Sequence, residues 1–383
     1  MVVVIPEDWN LEIDRILRGG VTKSTIVVLG AKGNGKSTFV RVLSDFCLKY
    51  DEGSYRRVAI LDTDCGQPEK TAPGVMSLFV KEVDLKGVTI NRMVSQRFVG
   101  FVNPAVNPFL YTQIVGELFG DFSRSESLAG VPLIVNCHGW GSGCGRETWE
   151  AVISTVRPDL IVQLGSLDGG VNLDCQNSFL DAADTPMKSS LPELRVLSKV
   201  ISVNDESGSS SDKRWVKFAT HFRPDLARKE SFKASHPQEF FVWPYSKFVS
   251  LAVAKICFSF PCLDAPSSIL SEQLGAVEKS IVGLCHSESG QCICLGFVDS
   301  VSLDKIGVFV PPSISHELVA IIDLVVKGDV HWSPRERVSH RGKTSIVDTP
   351  FEEEEAFYLQ NVLGGSAARL PSSRTNLKRS RLD

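Results

Sequence analysis

Short apolar runs alternate with amphipathic or polar stretches along the first half of the chain, a pattern typical of a buried sheet flanked by helices. The runs occupy residues 25–29, 57–61, 132–136, 159–164 and 197–203. Residues 36–50 show helical spacing instead, with one apolar stripe made of Phe39, Val42, Leu43, Phe46 and Cys47. The pattern predicts an α/β fold with a parallel sheet, helices on both faces, and functional loops at the carboxyl ends of the strands.

The same pattern suggests how the chain divides. Beyond a stretch rich in Pro and Ser, new apolar runs occupy residues 279–284, 291–298, 305–310 and 318–326. We therefore predict an N-terminal segment at residues 1–21 and a main domain at residues 22–260. A linker at residues 261–268 would lead to a small mainly β domain at residues 269–348 and a mobile, disordered tail at residues 349–383. The basic cluster at residues 376–381 is either a nuclear localisation signal or a solvated chain terminus.

The loop after the first of these strands has the sequence of a phosphate-binding loop. Residues 30–37 read GAKGNGKS, which is the complete G-x-x-x-x-G-K-[ST] motif between a strand and a helix. Its glycines let successive backbone N–H groups face phosphates, Lys36 would reach the β- and γ-phosphates, and Ser37 would ligate Mg²⁺. The alternative is a chance Gly-rich turn. We expect ATP to contact Gly30, Ala31, Lys32, Gly33, Asn34, Gly35, Lys36, Ser37 and Thr38.

Two carboxylates follow the strand at residues 57–61. Asp62 and Asp64 are two residues apart at a strand end, so their side chains are expected on the same side. One can help hold Mg²⁺ while the other accepts a proton from an attacking hydroxyl, which is what phosphoryl transfer to an alcohol requires. The alternative is that both residues only cap a turn.

Composition narrows the class of protein. The 43% hydrophobic content is enough for buried hydrophobic cores. A net charge of −4 excludes a nucleic-acid-binding protein that is basic over its whole surface, but it does not exclude a local basic groove. No apolar stretch approaches the ~20 residues of a membrane span, and the first residues do not resemble a signal peptide. We expect the ten cysteines to be reduced thiols. A zinc site is the alternative for Cys285, His286, Cys292 and Cys294.

A polar break at residues 206–211 runs into a basic, aromatic segment at residues 212–218. Such a segment fits a mobile lid over an active site, and it fits a plain surface loop with a solvated helix face equally well.

Taken together, the motifs resemble the polynucleotide 5′-hydroxyl kinase family, and most closely its nucleolar branch that processes pre-ribosomal RNA. The ordered motifs that carry the resemblance span about residues 22–345. They are the phosphate loop, Asp62-x-Asp64-x-Gly66-Gln67, a Thr-Ala-Pro-Gly clasp at residues 71–77, and Asn136-Cys137-His138-Gly139-Trp140.

The resemblance implies an ATP-dependent kinase that phosphorylates the 5′-hydroxyl ends of RNA, with DNA left open as a further substrate. It implies Lys36 on the phosphates, Ser37 and Asp62 on Mg²⁺, and Asp64 as the general base. Substrate-binding residues would be Gln67, Thr71, Ser77 and Trp140, where the tryptophan stacks on a base. The lid cations would be Arg214 and Lys217. A nuclear, nucleolar location and a nuclease or RNA-processing complex as partner are also implied, with no membrane.

Three departures from the family pattern bear on these expectations. Cys137 stands where the family often has Thr, lysines accompany the single clear lid arginine, and only about twenty residues precede the first strand. The retained Asp64 favours a kinase, whereas the weakened lid favours an ATP-bound scaffold in an RNA-processing assembly. A GTPase or small-metabolite kinase is a third reading, which the missing Asn-Lys-x-Asp loop and the tryptophan in the Gly-Trp-Gly turn disfavour.

Overall fold

A computed structural model describes most of the chain as two compact units. The described residues are 3–19, 24–49, 57–84, 86–141, 143–166, 192–202, 210–224, 246–259 and 274–330. One unit comprises Met1–His221 with Gly290–Cys292, and the other comprises Phe222–Ser289 with Ile293–Asp383. The predicted linker at 261–268 and tail at 349–383 lie outside the described residues.

The first unit is an α/β domain. Its elements in chain order are β1 (Val3–Val4), α1 (Glu7–Arg18), β2 (Thr25–Gly30), α2 (Lys36–Lys49), β3 (Arg57–Asp62), β4 (Val75–Val83), β5 (Thr89–Phe98), α3 (Pro108–Arg124), β6 (Leu133–Asn136), α4 (Cys144–Val156), β7 (Leu160–Leu164), β8 (Glu193–Leu197), β9 (Ile201–Ser202) and α5 (Ser210–Phe222). Among the described residues, seven strands form one sheet in the order β5-β4-β3-β6-β2-β7-β8.

Five neighbouring strands of this sheet run parallel, as expected, whereas β4 and β5 run antiparallel at one edge. The predicted parallel sheet is therefore confirmed, and two antiparallel strands that the apolar runs did not include extend it at that edge. The connection between β4 and β5, residues 84–88, is too short for the crossover that a parallel pair needs.

Helices cover both faces of the sheet, which confirms that part of the prediction. On one face α3 and α4 pack over a core that includes Tyr111 and Trp149. On the other face α1 and α2 pack over a core that includes Trp9 and Phe39. The segment before β2 therefore contains a helix that belongs to this core. Because α2 packs on its Phe39 side, the predicted stripe is wrong at Phe46, which is 46% exposed.

The second unit contains a mainly β sheet, as predicted. Its described elements are β10 (Lys247–Ala252), β11 (Cys257–Ser259), β12 (Ile281–Cys285), β13 (Cys292–Val301), β14 (Lys305–Val310), α6 (His316–Ala320) and β15 (Leu324–Lys327). The six strands lie in the order β10-β14-β13-β12-β15-β11. Since β10 and β11 belong to this sheet, the unit begins well before the boundary expected at residue 260. The apolar run at 318–326 also divides, into part of α6 and most of β15.

The three clustered cysteines, Cys285, Cys292 and Cys294, are buried, and none of them forms a disulfide bond with another described residue. No group of three or more His, Cys, Asp or Glu side chains among the described residues could hold a metal ion. Nor does any helix in the described ranges have both the length and the apolar character needed to cross a bilayer.

Candidate active site

The phosphate loop joins the end of β2 to the start of α2 at the carboxyl edge of the sheet. Gly30, Gly33 and Gly35 all have positive φ, at 147°, 85° and 98°. A Cβ atom on Gly30 would lie 2.7 Å from the Leu164 carbonyl oxygen, whereas one on Gly33 would meet nothing within 4 Å. Glycine is therefore required by close packing at one end of the loop and by backbone conformation at its open middle.

Asn34 fastens the loop to the neighbouring strand ends. Its Nδ2 donates to the Leu164 carbonyl oxygen at 2.6 Å, and its own carbonyl oxygen accepts from the Val200 N–H at 3.1 Å. On the other side, a Cβ on Gly139 would lie 2.9 Å from the Cα of Lys32. Loops after β6, β7 and β8 thus hold the phosphate loop in place.

Lys36 lies inside the loop. Its side chain is 6% exposed, and its Nζ donates to the carbonyl oxygens of Gly30 at 2.9 Å and Ala31 at 3.1 Å. Burial lowers the pKa of Lys36, and the charge of Asp64 opposes that shift. The ammonium group is thus directed toward the loop backbone and lies within the electrostatic reach of the acidic turn after β3.

Asn136, at the end of β6, brings the two expected Mg²⁺ ligands together. Its Nδ2 lies 2.9 Å from Asp62 Oδ1 and 3.5 Å from Ser37 Oγ. Its Oδ1 is buried and has no hydrogen-bond partner among the described residues. Asp62 is fully buried, and burial raises its pKa to about 7. The sequence motif includes Asn136, but the spacing of the motif alone assigns it no role.

The two carboxylates after β3 both hold the turn that follows them. Asp62 Oδ2 accepts from the Glu69 N–H at 2.5 Å, and Asp64 Oδ1 accepts from the N–H groups of Gly66 at 3.1 Å and Gln67 at 3.0 Å. Turn capping, the alternative considered above, therefore does occur. The second oxygen of Asp64 accepts no hydrogen bond from any residue that the structure describes, so it remains open to a ligand.

The expected clasp residues differ in their surroundings. Thr71 Oγ1 donates to the Val75 carbonyl oxygen at 3.1 Å and so closes the clasp loop. Gln67 is half-buried at the acidic turn. Ser77, expected to belong to the clasp, is fully buried in β4 opposite Asp62. A direct contact of Ser77 with a polynucleotide would require β4 to move.

Trp140 is half-buried at the loop after β6. Its ring lies against the start of α4, since a Cβ on Gly145 would be 2.6 Å from Trp140 Cδ2. The fully buried tryptophan of this region is Trp149, whose Nε1 donates to the His138 carbonyl oxygen at 3.2 Å. The loop is thus anchored by Trp149, and Trp140 keeps part of its ring accessible.

Helix α5 brings one of the two expected lid cations to the acidic turn. Lys217 Nζ donates to the carbonyl oxygens of Pro68 and Glu69, the latter at 3.3 Å. Burial lowers the pKa of Lys217, while the nearby carboxylate of Asp62 opposes that shift. Arg214, one turn earlier, is partly exposed and makes no hydrogen bond or ion pair with any other residue in the described part of the chain.

The chain is similar to known proteins in sequence and in fold. Residues 30–209 match the family model for the P-loop of the mRNA cleavage and polyadenylation factor CLP1. A chain in the structure of a Clp1p–Pcf11p complex has a similar fold, with a TM-score of 0.55 and 12% identity over 84% of this chain and 78% of that one. A second Clp1p–Pcf11p structure gives a TM-score of 0.58 at 11% identity, with the same coverage.

Several curated proteins are similar in sequence. Polynucleotide 5′-hydroxyl-kinase NOL9 of Arabidopsis thaliana is 28% identical over 85% of this chain and 90% of its own length. NOL9 of Drosophila melanogaster is 24% identical over 91% of this chain, and GRC3 of Gibberella zeae is 31% identical over 42% of it. The chain spans only 35% and 24% of these last two proteins. Residues 30–209 match the CLP1 P-loop family model, and the resemblance to polynucleotide 5′-hydroxyl kinases that the motifs indicate is confirmed.

Proposed function

We propose that this chain transfers the γ-phosphate of ATP to the 5′-hydroxyl end of RNA. The observation that carries the proposal is the convergence of Lys36, Ser37, Asp62 and Asp64 at the carboxyl ends of β2 and β3, linked through Asn136. The names of the similar proteins supply the substrate class. Phosphoryl transfer to an alcohol needs a phosphate cradle, a metal site and a proton acceptor, and this group of residues offers all three.

The residues fit ATP with Mg²⁺. The middle of the phosphate loop is open at Gly33, and the hydroxyl and carboxylate oxygens of Ser37 and Asp62 are ligands that Mg²⁺ prefers. The buried Oδ1 of Asn136 offers one further unpaired oxygen beside them. When bound, ATP with Mg²⁺ supplies the phosphoryl group that is transferred. Lys36 neutralises charge on the phosphates, and Lys217 and Arg214 on α5 add positive charge beside the acidic turn.

Asp64 acts as the general base in this proposal. One of its oxygens is held by the turn. The other accepts the proton of the 5′-hydroxyl as the hydroxyl oxygen attacks the γ-phosphate and ADP leaves. Trp140 stacks on the terminal base, which gives about 1–3 kcal/mol without sequence preference. Gln67 and Thr71 line the approach to Asp64, while Ser77 supports Asp62 from within the sheet.

The test is end labelling. Purified protein is incubated with γ-labelled ATP, Mg²⁺ and a 5′-hydroxyl oligoribonucleotide, and label at the 5′ end is expected. Lys36→Ala should abolish labelling, whereas Lys49→Ala, an exposed lysine at the far end of the same helix, should leave it unchanged. Equal labelling by the wild type and Lys36→Ala would overturn the proposal. A deoxyribonucleotide of the same sequence measures the preference for RNA.

The second candidate is an ATP-bound scaffold with little turnover. The observation that favours it is that Lys217 donates hydrogen bonds to carbonyl oxygens of the acidic turn. In addition, a lysine cannot bind a phosphoryl group in the bidentate way that an arginine can. Tight ATP binding without end labelling would support the scaffold. In either case we propose a role in pre-ribosomal RNA processing in the nucleolus, together with a nuclease or RNA-processing partner. Co-purification of tagged protein from nucleoli tests that role.

A further inference from the structure

The ring of His138 lies between two aromatic side chains in the core beneath the Trp140 loop. His138 is 2% exposed, its ring stacks on Trp149 with centroids 5.7 Å apart, and it meets Tyr111 edge-on at 5.3 Å. The Trp149 Nε1–H also donates to the His138 carbonyl oxygen. Both the ring and the backbone of this residue are therefore held by α3 and α4.

The outer edge of the His138 ring holds Trp140. The Trp140 N–H donates to His138 Nδ1 at 3.1 Å, so Nδ1 must be the unprotonated ring nitrogen. Burial, assisted by the charge of Lys36, lowers the pKa of His138 to about 3. The ring is consequently neutral near pH 7, and the acceptor that holds Trp140 is present throughout the physiological range.

The inner side of the same cluster reaches the acidic turn. The Tyr111 hydroxyl donates to Thr63 Oγ1 at 2.8 Å, and Thr63 Oγ1 donates to the Asn136 carbonyl oxygen at 3.0 Å. Thr63 stands between the two carboxylates in the sequence. A continuous series of contacts thus runs from Trp140 through His138 and Tyr111 to the turn that carries Asp64.

We propose that His138 is a positioning residue that sets the place of Trp140 relative to Asp64, and so sets where the 5′-terminal nucleotide lies. The inference rests on the proposed kinase function, in which Trp140 takes the base and Asp64 takes the hydroxyl proton of the same nucleotide. Misplacement of a reacting group by about 1 Å can cost ~100-fold in rate. A fixed spacing between these two residues is therefore an advantage that the buried cluster provides.

Two substitutions at His138 separate positioning from packing. His138→Phe keeps an aromatic ring in the core but removes the acceptor for the Trp140 N–H. His138→Asn loses the ring but places its Oδ1 where Nδ1 was. If His138 positions Trp140, His138→Phe should raise KM for the oligonucleotide about tenfold, the cost of one lost hydrogen bond with a donor left unpaired. KM for ATP should not change.

The asparagine variant should show the opposite combination. His138→Asn should have the lower melting temperature, because it loses the buried ring, yet keep KM for the oligonucleotide within about twofold of the wild type. A purely structural role predicts that KM follows stability, with the asparagine variant the worse of the two. That ranking would overturn the inference.

Further variants keep the inference testable if His138→Phe does not fold. Tyr111→Phe removes one hydroxyl and should lower kcat/KM for the oligonucleotide about three- to tenfold without altering KM for ATP. Leu128→Ala, in the same core cluster but beyond the C-terminal end of α3, should lower the melting temperature without changing either KM. An unchanged kcat/KM for the oligonucleotide in Tyr111→Phe would reject the role.

Affinity for a fluorescently labelled 5′-hydroxyl oligonucleotide, measured without ATP, separates failure of this inference from failure of the kinase proposal. A wild type that binds the oligonucleotide but does not label it would refute the kinase proposal alone. The ranking of affinities, with the phenylalanine variant weaker than the asparagine variant, would then still support the inference. A wild type that neither binds nor labels would overturn both.

Discussion

Two glycines of the phosphate loop provide a matched test of how tightly the loop is packed. Gly33 and Gly35 both have positive φ, so alanine at either position carries a similar conformational cost, about 1–2 kcal/mol. Their surroundings differ: a Cβ on Gly35 would lie 2.8 Å from Val200 Cβ and 3.0 Å from Trp9 Cη2, whereas one on Gly33 would meet nothing within 4 Å. Gly35→Ala should therefore lose about 1–3 kcal/mol more stability than Gly33→Ala, the usual cost of overpacking.

The difference is measurable by thermal and urea unfolding of the two variants without nucleotide. At about 2–4 °C per kcal/mol for a unit of this size, Gly35→Ala should melt about 2–12 °C below Gly33→Ala. Adding Val200→Ala removes Val200 Cγ1, which would also lie 2.8 Å from the new Cβ, and should return part of that loss in the Gly35→Ala background and none in the Gly33→Ala background. Equal losses in the two single variants would show that α1 and the segment after β8 do not press on the loop.

The remaining predictions concern the carboxylates, the stacking residue and pH. Asp64→Asn should lower kcat at least ~100-fold with little change in ATP affinity, and a larger loss of kcat in Asp62→Asn with intact ATP–Mg²⁺ binding would show that the two roles are exchanged. Trp140→Ala should weaken oligonucleotide binding by about 1–3 kcal/mol for all four terminal bases; a concurrent loss of melting temperature and ATP binding would instead indicate a structural anchor. The pKa of His138 falls from 6.5 to about 3 on folding, so the unfolded chain binds the extra proton and the wild type gains stability as the pH rises. Its stability advantage over His138→Asn should therefore grow by about 1.4 kcal/mol per pH unit from pH 4 to 6.5. The pKa of Asp62 rises from 3.8 to about 7 on folding, so in metal-free buffer the wild type should lose stability relative to Asp62→Asn at the same rate from pH 4 to 7; a constant difference in urea unfolding would contradict either shift.

The parts of the site that local sequence can specify were predictable. The phosphate loop and the acidic turn each depend on residue types at fixed spacing beside a strand, and parallel strands bring their ends together whatever the rest of the fold does. The antiparallel pair β4 and β5 was missed, because β5 is exposed over much of its length and carries no continuous apolar run. Pairing partners are chosen by tertiary contacts that periodicity does not report.

Burial of individual polar residues was the harder problem. The family motif places Ser77 in the clasp expected to bind the substrate, yet it lies inside β4, among apolar neighbours whose pattern indicates a buried strand. His138 and Trp9 were given no role, since nothing local to either residue indicates what lies across the core. Their contacts come from α3, α4 and the segment after β8, which are distant in sequence.

The capping of the acidic turn by Asp64 is compatible with its proposed role as a base, because a carboxylate has two oxygens and the turn uses one. The two N–H groups that reach Oδ1 limit rotation of the side chain, so the second oxygen keeps one direction. An asparagine can keep the cap through its own Oδ1 while its amide nitrogen cannot accept a proton. An alanine loses both. Asp64→Asn should therefore retain the melting temperature of the wild type and lose turnover, whereas Asp64→Ala should lose turnover and about 1–3 kcal/mol of stability, because two turn N–H groups lose their acceptor. Retained turnover in Asp64→Asn with lost turnover only in Asp64→Ala would mean that Asp64 acts through the turn alone and that the proton is accepted elsewhere.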